Sequence, residues 1–486
     1  MKQPNILIFM TDQQRGATVL PEHPALTPVL DRFRQQSVTF SNAFTPSPHC
    51  CPSRATFMTG LYPSEHGIWN NVCVQNAIST ALNNGVRCWS EDLESAGYRL
   101  DWNGKWHVSR DEGPDRRGFT VHSISAGTRS QGQGVMGFEW EDYEKMAASG
   151  EDKKTERPPA GILRPGWGTY IHYGVDEDPF GDSAHVQSAI DVIRSRDGRT
   201  PWCHYVGPLG PHDPYRVPQR FLDLYDADSI ELPPSFGDRM EDKPALYRRT
   251  RDRFDQLSEA EHREALRHYY AFCSYEDYLF GQLLDALEES GQAENTAVIY
   301  CSDHGDYLGD HGLWCKGLPC FRGAYEIPLM IRWPEQLKNP GRREEAFVSL
   351  ADLAPTLLEL AGVKANRRFS GKSLTPFLRD EPPAEWRDAV FTQSNGNELY
   401  GIQRSVVTRD WKLVYNGFDY DELYDLKNDP HEIRNLSADP QYAKVKRMLY
   451  QRLWRFACEH AEQGISDYIM TGLAEYGPME AFRSVE

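Results

Sequence analysis

The sequence predicts an α/β protein: a mostly parallel sheet sandwiched by helices, followed by a smaller C-terminal α+β portion with a short antiparallel sheet. Three observations predict it. Apolar runs with the length and composition of buried strands alternate with helical stretches, as a parallel sheet requires. Two of these runs end in acidic residues, the pattern of strands that deliver polar side chains at their carboxyl ends. After Gly362 the texture changes to short strands joined by turns, so the division is placed between residues 1–370 and 371–486. A chain of 486 residues has room for such a division at roughly 100–200 residues per domain.

Residues 5–10, Asn-Ile-Leu-Ile-Phe-Met, form the first expected strand. Thr27-Pro28 then opens a helix through Gln36, with a cap residue followed by proline at the first helical position. Pro52 and Gly60 bracket a short helix just after Cys50-Cys51. Residues 119–165 are rich in Gly, Ser and charge without a clear period, and read as irregular surface insertions that face substrate. Residues 202–207 are a buried strand, whereas the mixed charges of 239–253 read as a solvated face or loop. Ser258 and Glu261 make a capping box for a long helix through Leu279, Leu283, Leu284 and Leu287, stopping near Gly291. Strands are expected at 297–301 and 327–333, then at 389–392, 401–408 and 411–415, with a helix near 440–457.

Composition excludes several classes. Hydrophobic residues at 40% and charged residues at 26% describe a folded globular chain, not a disordered or fibrous one. Lys+Arg 53 against Asp+Glu 71 gives a net charge of −18, so no overall basic footprint for nucleic acid exists. Any anion must be met by a local cluster of cations. No run of about 18 apolar residues occurs, and residues 5–10 are too short for a secretory signal core. The ten cysteines show neither a CxxC pair nor zinc spacing and read as reduced thiols. The expected compartment is the cytoplasm, with neither nucleic acid nor membrane as partner.

Asp12 and Asp303 stand where expected strands end, with Gln13 and His304 adjacent. Two carboxylates from separate strands suit a hard divalent cation held mainly by oxygen. Each Asp alone is more readily read as a turn cap. Between them lies His49-Cys50-Cys51-Pro52-Ser53-Arg54-Ala55-Thr56-Phe57-Met58-Thr59-Gly60. A nucleophile at Cys50 would sit at a helix N-terminus, where free N–H groups and the helix dipole favour an anion. Two buried thiols are the plainer reading of the pair.

Cys50-x-Pro52-Ser53-Arg54-x-x-x-Met58-Thr59-Gly60 resembles the signature of the formylglycine-dependent sulfatases, members of the alkaline phosphatase superfamily. The resemblance runs along nearly the whole chain. It includes the opening strand through Asp12, Tyr98 with Gly104-Lys105-Trp106-His107, and Gly210-Pro211-His212-Asp213-Pro214. It continues through Ser302-Asp303-His304-Gly305, Gly309-Asp310-His311-Gly312-Leu313-Trp314 with Lys316, Asp352-Leu353-Ala354-Pro355-Thr356, and Leu423-Tyr424-Asp425-Leu426 with Asp429-Pro430.

The resemblance implies an alkaline phosphatase-like fold and hydrolysis of a sulfate monoester of a small organic or carbohydrate alcohol. It implies that Cys50 is converted to 3-oxoalanine (formylglycine) by a formylglycine-generating enzyme. One divalent cation, Ca²⁺ first with Mn²⁺ or Mg²⁺ as alternatives, would be held by Asp12, Gln13, residue 50, Asp303 and His304. Arg54, Lys105 and Lys316 would supply positive charge to the sulfate. A hydroxyl of the hydrated aldehyde would attack sulfur, with Asp303 assisting its ionisation. His212 with Lys316 would protonate the leaving oxygen, and His107 would take the proton whose loss releases sulfate.

The chain departs from that family in places. Asp12-Gln13 stands where two Asp residues are common, and His304 replaces a common Asn. Both features also occur in the related cytoplasmic phosphonate monoester and phosphodiester hydrolases, the alternative reading. Val108-Ser109 follows His107 where Leu-Gly is usual, and Cys51 offers a second thiol beside the target. A reading from another class is a non-catalytic anion-binding protein whose Cys50 is never oxidised. The alcohol portion of the substrate and the oligomeric state, a homo-oligomer included, stay open.

Overall fold

β1 (Asn5–Thr11) is buried along its whole length, as a strand must be when helices cover both faces of its sheet. Its odd and even residues enter two different cores. The computed structural model describes residues 3–125, 140–148, 156–164, 168–462, 465, 474 and 477–482. In it β1 lies within an eight-stranded sheet with β2 (Val38–Phe44), β3 (Arg99–Gly104), β4 (Thr120–Ile124), β5 (Trp202–Gly207), β6 (Thr296–Ser302), β7 (Leu329–Arg332) and β8 (Arg343–Ser349). The order is β8-β2-β7-β6-β1-β5-β3-β4. Only β7 runs antiparallel to its neighbours.

The helices that matter for the site are α1 (Pro28–Arg34), α2 (Cys50–Thr59), α3 (Asp182–Arg194) and α4 (Glu259–Glu289). Leu7 and Phe9 pack with Leu30, Ile190, Phe280 and Leu283, which come from α1, α3 and α4. Ile6, Ile8 and Met10 pack on the other face with Phe57 and Met58 of α2 and with Trp89 and Leu353. The two-residue period of a strand therefore sorts one short sequence into two layers of core.

The long helix starts as its capping box predicts. Ser258 Oγ accepts from Glu261 N, and Glu261 Oε2 accepts from Ser258 N at 2.8 Å. Ser258→Ala is expected to cost about 1 kcal/mol, read as a lower urea midpoint at unchanged m-value. The expected cap of α1 differs. Thr27 makes no side-chain cap bond, and Asp277 of α4 accepts from Val29 N (3.0 Å) and Leu30 N (2.7 Å) instead. A carboxylate distant in sequence has taken over the local task.

Two further expectations are met only in part. Residues 239–253 are a solvated face and loop with buried anchors: Arg239, Glu241, Asp242, Arg248, Arg249 and Asp252 are exposed, whereas Lys243, Tyr247 and Arg251 are buried. Arg251 donates to the His311 carbonyl at 2.9 Å, and Lys243 pairs with Asp238 at 2.9 Å. Long charged side chains here clamp loops, which their sign alone did not reveal. Within 119–165, β4 is a regular edge strand and Trp140–Ala148 is a helix. The rest of that insertion lies largely outside the described residues.

The C-terminal portion carries β9 (Ala389–Gly396), β10 (Tyr400–Thr408), β11 (Trp411–Asn416) and β12 (Glu422–Asp425), an antiparallel meander in sequence order. Leu413 and Leu423 pack on Leu449 and Leu453 of α5 (Ala443–Glu459). Val414 and Tyr424 face Phe321 and Tyr325 of the larger portion. Among the described residues, no helix is long and apolar enough to cross a membrane.

Candidate active site

The site lies at the carboxyl ends of the central strands. Thr11 and Ser302 are register partners in β1 and β6, so Asp12 and Asp303 emerge side by side. Gly104 and Gly207 are partners in β3 and β5, and the loops leaving them carry Lys105 and His212. Gly104 has φ 93°, and a Cβ there would stand 2.0 Å from the Gly207 carbonyl oxygen. Only glycine allows that approach, which lets Lys105 N donate to the same oxygen at 2.8 Å. α2 presents Cys50 as its first residue, facing these strand ends.

Asp12, Cys50, Asp303 and His304 converge, each buried, with one ligand atom apiece inside a 4.8 Å span. Cys50 Sγ lies 3.2 Å from His304 Nε2 and 3.9 Å from Asp12 Oδ1. His304 Nδ1 faces the Gly305 carbonyl at 2.9 Å. That contact fixes an N–H at Nδ1 and turns Nε2 toward the cluster, the usual orientation of a ligating histidine. Two carboxylates, one imidazole nitrogen and residue 50 thus form a donor set that fits a divalent cation.

Cations surround this cluster. Arg54 Nε donates to Asp303 Oδ2 (2.7 Å) and Nη2 to Asp12 Oδ2 (3.1 Å). Arg54 Nη1 donates to the Lys105 carbonyl (3.1 Å) and the Tyr205 hydroxyl (2.7 Å). Lys105 Nζ pairs with Asp12 Oδ2. Burial opposes ionisation of Asp12, yet Lys105, His212 and Arg54 hold its pKa well below the usual carboxylate range. The same contest governs Cys50. Burial raises the thiol, while Lys105, Lys316, His304 and a hydrogen bond with His107 bring it well below an ordinary cysteine. Residue 50 is therefore where the site concentrates stabilisation of negative charge.

Cys51 behaves oppositely. Its thiol is pushed well up by burial, and Sγ accepts from Val72 N at 3.3 Å. Its backbone N–H is held by Asn71 Oδ1 at 3.1 Å. Cys51→Ala is expected to keep most of the activity and lose about 1 kcal/mol of stability, checked by steady-state kinetics and denaturation.

The histidines and Lys316 fall on two sides of residue 50. His107 is kept neutral by burial, which lowers its pKa despite the hydrogen bond to Cys50. His212 Nδ1 faces the Asp213 carbonyl at 2.5 Å, and Nε2 faces Lys316 Nζ at 2.5 Å. This pair borders solvent, with side chains 22% (His212) and 12% (Lys316) exposed. Burial lowers the Lys316 pKa, but Cys50, Asp213 and Asp12 raise it further, so the ammonium persists.

Gln13 sits beside the cluster with its amide turned outward. Its Oε1 accepts from Lys316 Nζ at 2.5 Å, and its Nε2 donates to Asp306 Oδ2 (2.6 Å) and Asp213 Oδ1 (3.2 Å). Its backbone has φ 64° and its N–H reaches Asp303 Oδ1 at 3.1 Å. His107 also lies at positive φ, 53°. Such backbone in non-glycine residues concentrates at functional sites. All the residues singled out from the sequence are thus brought to one place, with Gln13 engaged by Lys316.

Several partners were not singled out. Tyr205 sits inside a buried strand with no polar signal around it. Asp213 lies within a quoted motif and Asp306 directly follows one, and their acidity beside strand ends was the available signal. Asp306 accepts from Tyr215 at 2.6 Å, and burial lifts its pKa to about 6. Asp213 accepts from Tyr170, a residue of the strand Gly168–Ile171 that follows the insertion. His212, Lys316 and the Tyr170 hydroxyl help hold it below the carboxylate range against the effect of burial.

Comparison with known proteins bears on the family and the fold. Residues 4–363 match the Sulfatase family, and residues 309–459 match the family "N-sulphoglucosamine sulphohydrolase, C-terminal". The choline-sulfatase of Rhizobium meliloti is 31% identical over 456 residues, covering 90% of this chain and 83% of that protein. An arylsulfatase of Clostridium perfringens is 27% identical, with 96% of each chain covered. Among solved structures, the phosphonate monoester hydrolase of Agrobacterium radiobacter superposes with a TM-score of 0.76 at 23% identity, covering 94% of this chain and 96% of that one.

Proposed function

The chain belongs to the sulfatase family, and from that premise we propose that it hydrolyses the sulfate monoester of a small organic or carbohydrate alcohol using formylglycine at residue 50 and one divalent cation. The observation that carries this is the convergence of Arg54, Lys105, Lys316, His107 and His212 on a residue 50 backed by Asp12, Asp303 and His304. Asp12, Asp303, His304 and residue 50 would hold the cation, joined by Gln13 once Oε1 leaves Lys316. The oxygen-rich set favours Ca²⁺, with Mn²⁺ or Mg²⁺ as alternatives. When present, cation and hydrated aldehyde supply Lewis acidity and a hydroxyl nucleophile of lowered pKa.

This chain's own residues do the rest. Arg54, locked between Asp12 and Asp303, keeps the two carboxylates at a fixed spacing. Lys105, buried, and Lys316, at the solvent border, bring positive charge to the sulfate oxygens. The Lys316–His212 pair, at the solvent border, holds the proton that the leaving oxygen needs. His107, neutral and hydrogen bonded to residue 50, is the acceptor for the proton that residue gives up. His212→Ala is expected to lower kcat by about 10² or more, most for alcohols that leave poorly.

A second reading is a phosphonate monoester or phosphodiester hydrolase, favoured by Gln13 in place of a second Asp and by His304. Turnover of aryl sulfate beside aryl phosphonate and aryl phosphodiester on one fully oxidised preparation decides. Preference for the sulfate in kcat/KM is the expected result, and preference for a phosphorus ester overturns it. Ten free thiols are compatible with a reducing cytoplasm as the working compartment, and a formylglycine-generating enzyme is the partner that maturation requires.

A further inference from the structure

Two buried carboxyl groups meet behind the loop that carries His212. Asp182 opens α3 and Glu276 lies midway along α4, and each is 0% exposed. Asp182 Oδ1 accepts from Leu209 N and Oδ2 from Gly210 N, both at 2.8 Å. The same short segment makes two more bonds. Leu209 O accepts from His212 N at 3.0 Å, and Gly210 O accepts from Asp12 N at 3.1 Å. One carboxylate thus grips the peptide from which both His212 and Asp12 are suspended.

Glu276 has no place in the chemistry described above. Neither of its oxygens receives a hydrogen bond from an N–H or O–H donor among the described residues. Its Oε1 stands beside Gly210, the residue whose N–H Asp182 Oδ2 accepts, so the two carboxyl groups flank one peptide. It also presses on the loop: a Cβ at Gly210 would stand 2.1 Å from Glu276 Oε1. Asp178 adds a third carboxylate nearby, accepting from Tyr275 OH (3.1 Å) and Ser183 N (2.9 Å). Among the described residues no Lys, Arg or His pairs with Asp182 or Glu276, and two ionised carboxylates buried side by side repel strongly. A shared proton resolves the conflict, giving Asp182 a third donor while leaving its two N–H bonds intact.

We propose that Glu276 retains a proton and donates it to Asp182, and that this carboxyl–carboxylate pair positions the Leu209–Gly210 peptide so that His212 meets Lys316. Both are positioning residues, and the inference rests on the reading of His212 with Lys316 as proton donor to the leaving oxygen. Burial raises the pKa of Asp182 to about 7 and that of Glu276 well above its ordinary value, in keeping with a proton held between them. Without Glu276, Asp182 either keeps an uncompensated buried charge or protonates itself and loses an acceptor site. Either outcome loosens the loop, and proton transfer is sensitive to small displacements.

The test is kcat and KM on a series of aryl sulfates of rising leaving-group pKa, using enzyme matched for residue 50 oxidation and metal content. Glu276→Gln keeps an N–H donor toward Asp182 and is expected to stay within about threefold of wild type across the series. Glu276→Leu removes the donor. Its kcat is expected to fall about 10-fold for the best leaving group and about 10²–10³-fold for the poorest, with KM little changed. His212→Ala calibrates the slope that loss of the donor produces. If His212→Ala steepens the dependence and Glu276→Leu lowers all substrates equally, the positioning inference alone is overturned. It is also overturned if Glu276→Gln is as impaired as Glu276→Leu. If His212→Ala leaves the slope unchanged, the donor reading fails and the inference falls with it. Should Glu276→Leu not fold by circular dichroism, Asp182→Asn decides: a steeper slope supports the pair and an unchanged slope overturns it.

Discussion

Cys50→Ala is expected to abolish turnover, with kcat for an aryl sulfate falling by about 10⁴-fold or more, while the fold persists. The change is small, and residue 50 lies at the first position of α2 rather than in the middle of either core. Arg54, Asp12 and Asp303 keep one another paired, so no buried charge is orphaned by the loss of the thiol. Cys50→Ser separates the nucleophile from the release step. A serine hydroxyl can accept one sulfate, but it lacks the second hydroxyl that expels it, so a single stoichiometric burst followed by arrest is expected. Steady turnover by Cys50→Ser would remove the case for an aldehyde.

Asp303→Ala is expected to bring the second largest effect. Bound divalent metal, measured by elemental analysis, should fall from about one per chain to background, with kcat down by about 10³-fold or more. Asp303 accepts from Arg54, from Gln13 N and from His304 N (2.9 Å), so its removal also unties two strand-end backbone groups and the guanidinium of α2. Breaking a buried ion pair costs about 3–5 kcal/mol, though Asp12 still holds Arg54 and moderates the loss. Full activity or full metal content in Asp303→Ala would contradict the assignment.

Much of the fold was legible because its strands are local and their burial is written in composition. Residues 5–10, 202–207 and 297–301 could only be covered on both faces. The candidate site was legible through the family resemblance carried by Cys50-x-Pro52-Ser53-Arg54 and through the acidic strand ends, residues that the fold brings together. What was not legible depends on pairs remote in sequence. Asp277 capping α1, Glu276 against Asp182, and Gln13 reaching Asp306 and Lys316 each join distant segments, and no local period announces such contacts. The charges of 239–253 are mostly solvated as their composition suggests, but Lys243 and Arg251 were not separable from them, because a long side chain can bury its stem and satisfy its head on carbonyl oxygens. β4 was missed because an exposed edge strand carries no apolar run.

The central claim, that residue 50 acts as an oxidised nucleophile, is tested most directly by one correlation. Preparations made with increasing amounts of formylglycine-generating enzyme are assayed for kcat, and the peptide spanning residues 48–54 is weighed by mass spectrometry in each. The aldehyde form is lighter than the thiol, and fragmentation places it at 50 or 51. A line through the origin, with kcat proportional to the aldehyde fraction at residue 50, is the expected result. Activity in a preparation whose residue 50 is wholly thiol, or an aldehyde at residue 51, would contradict it.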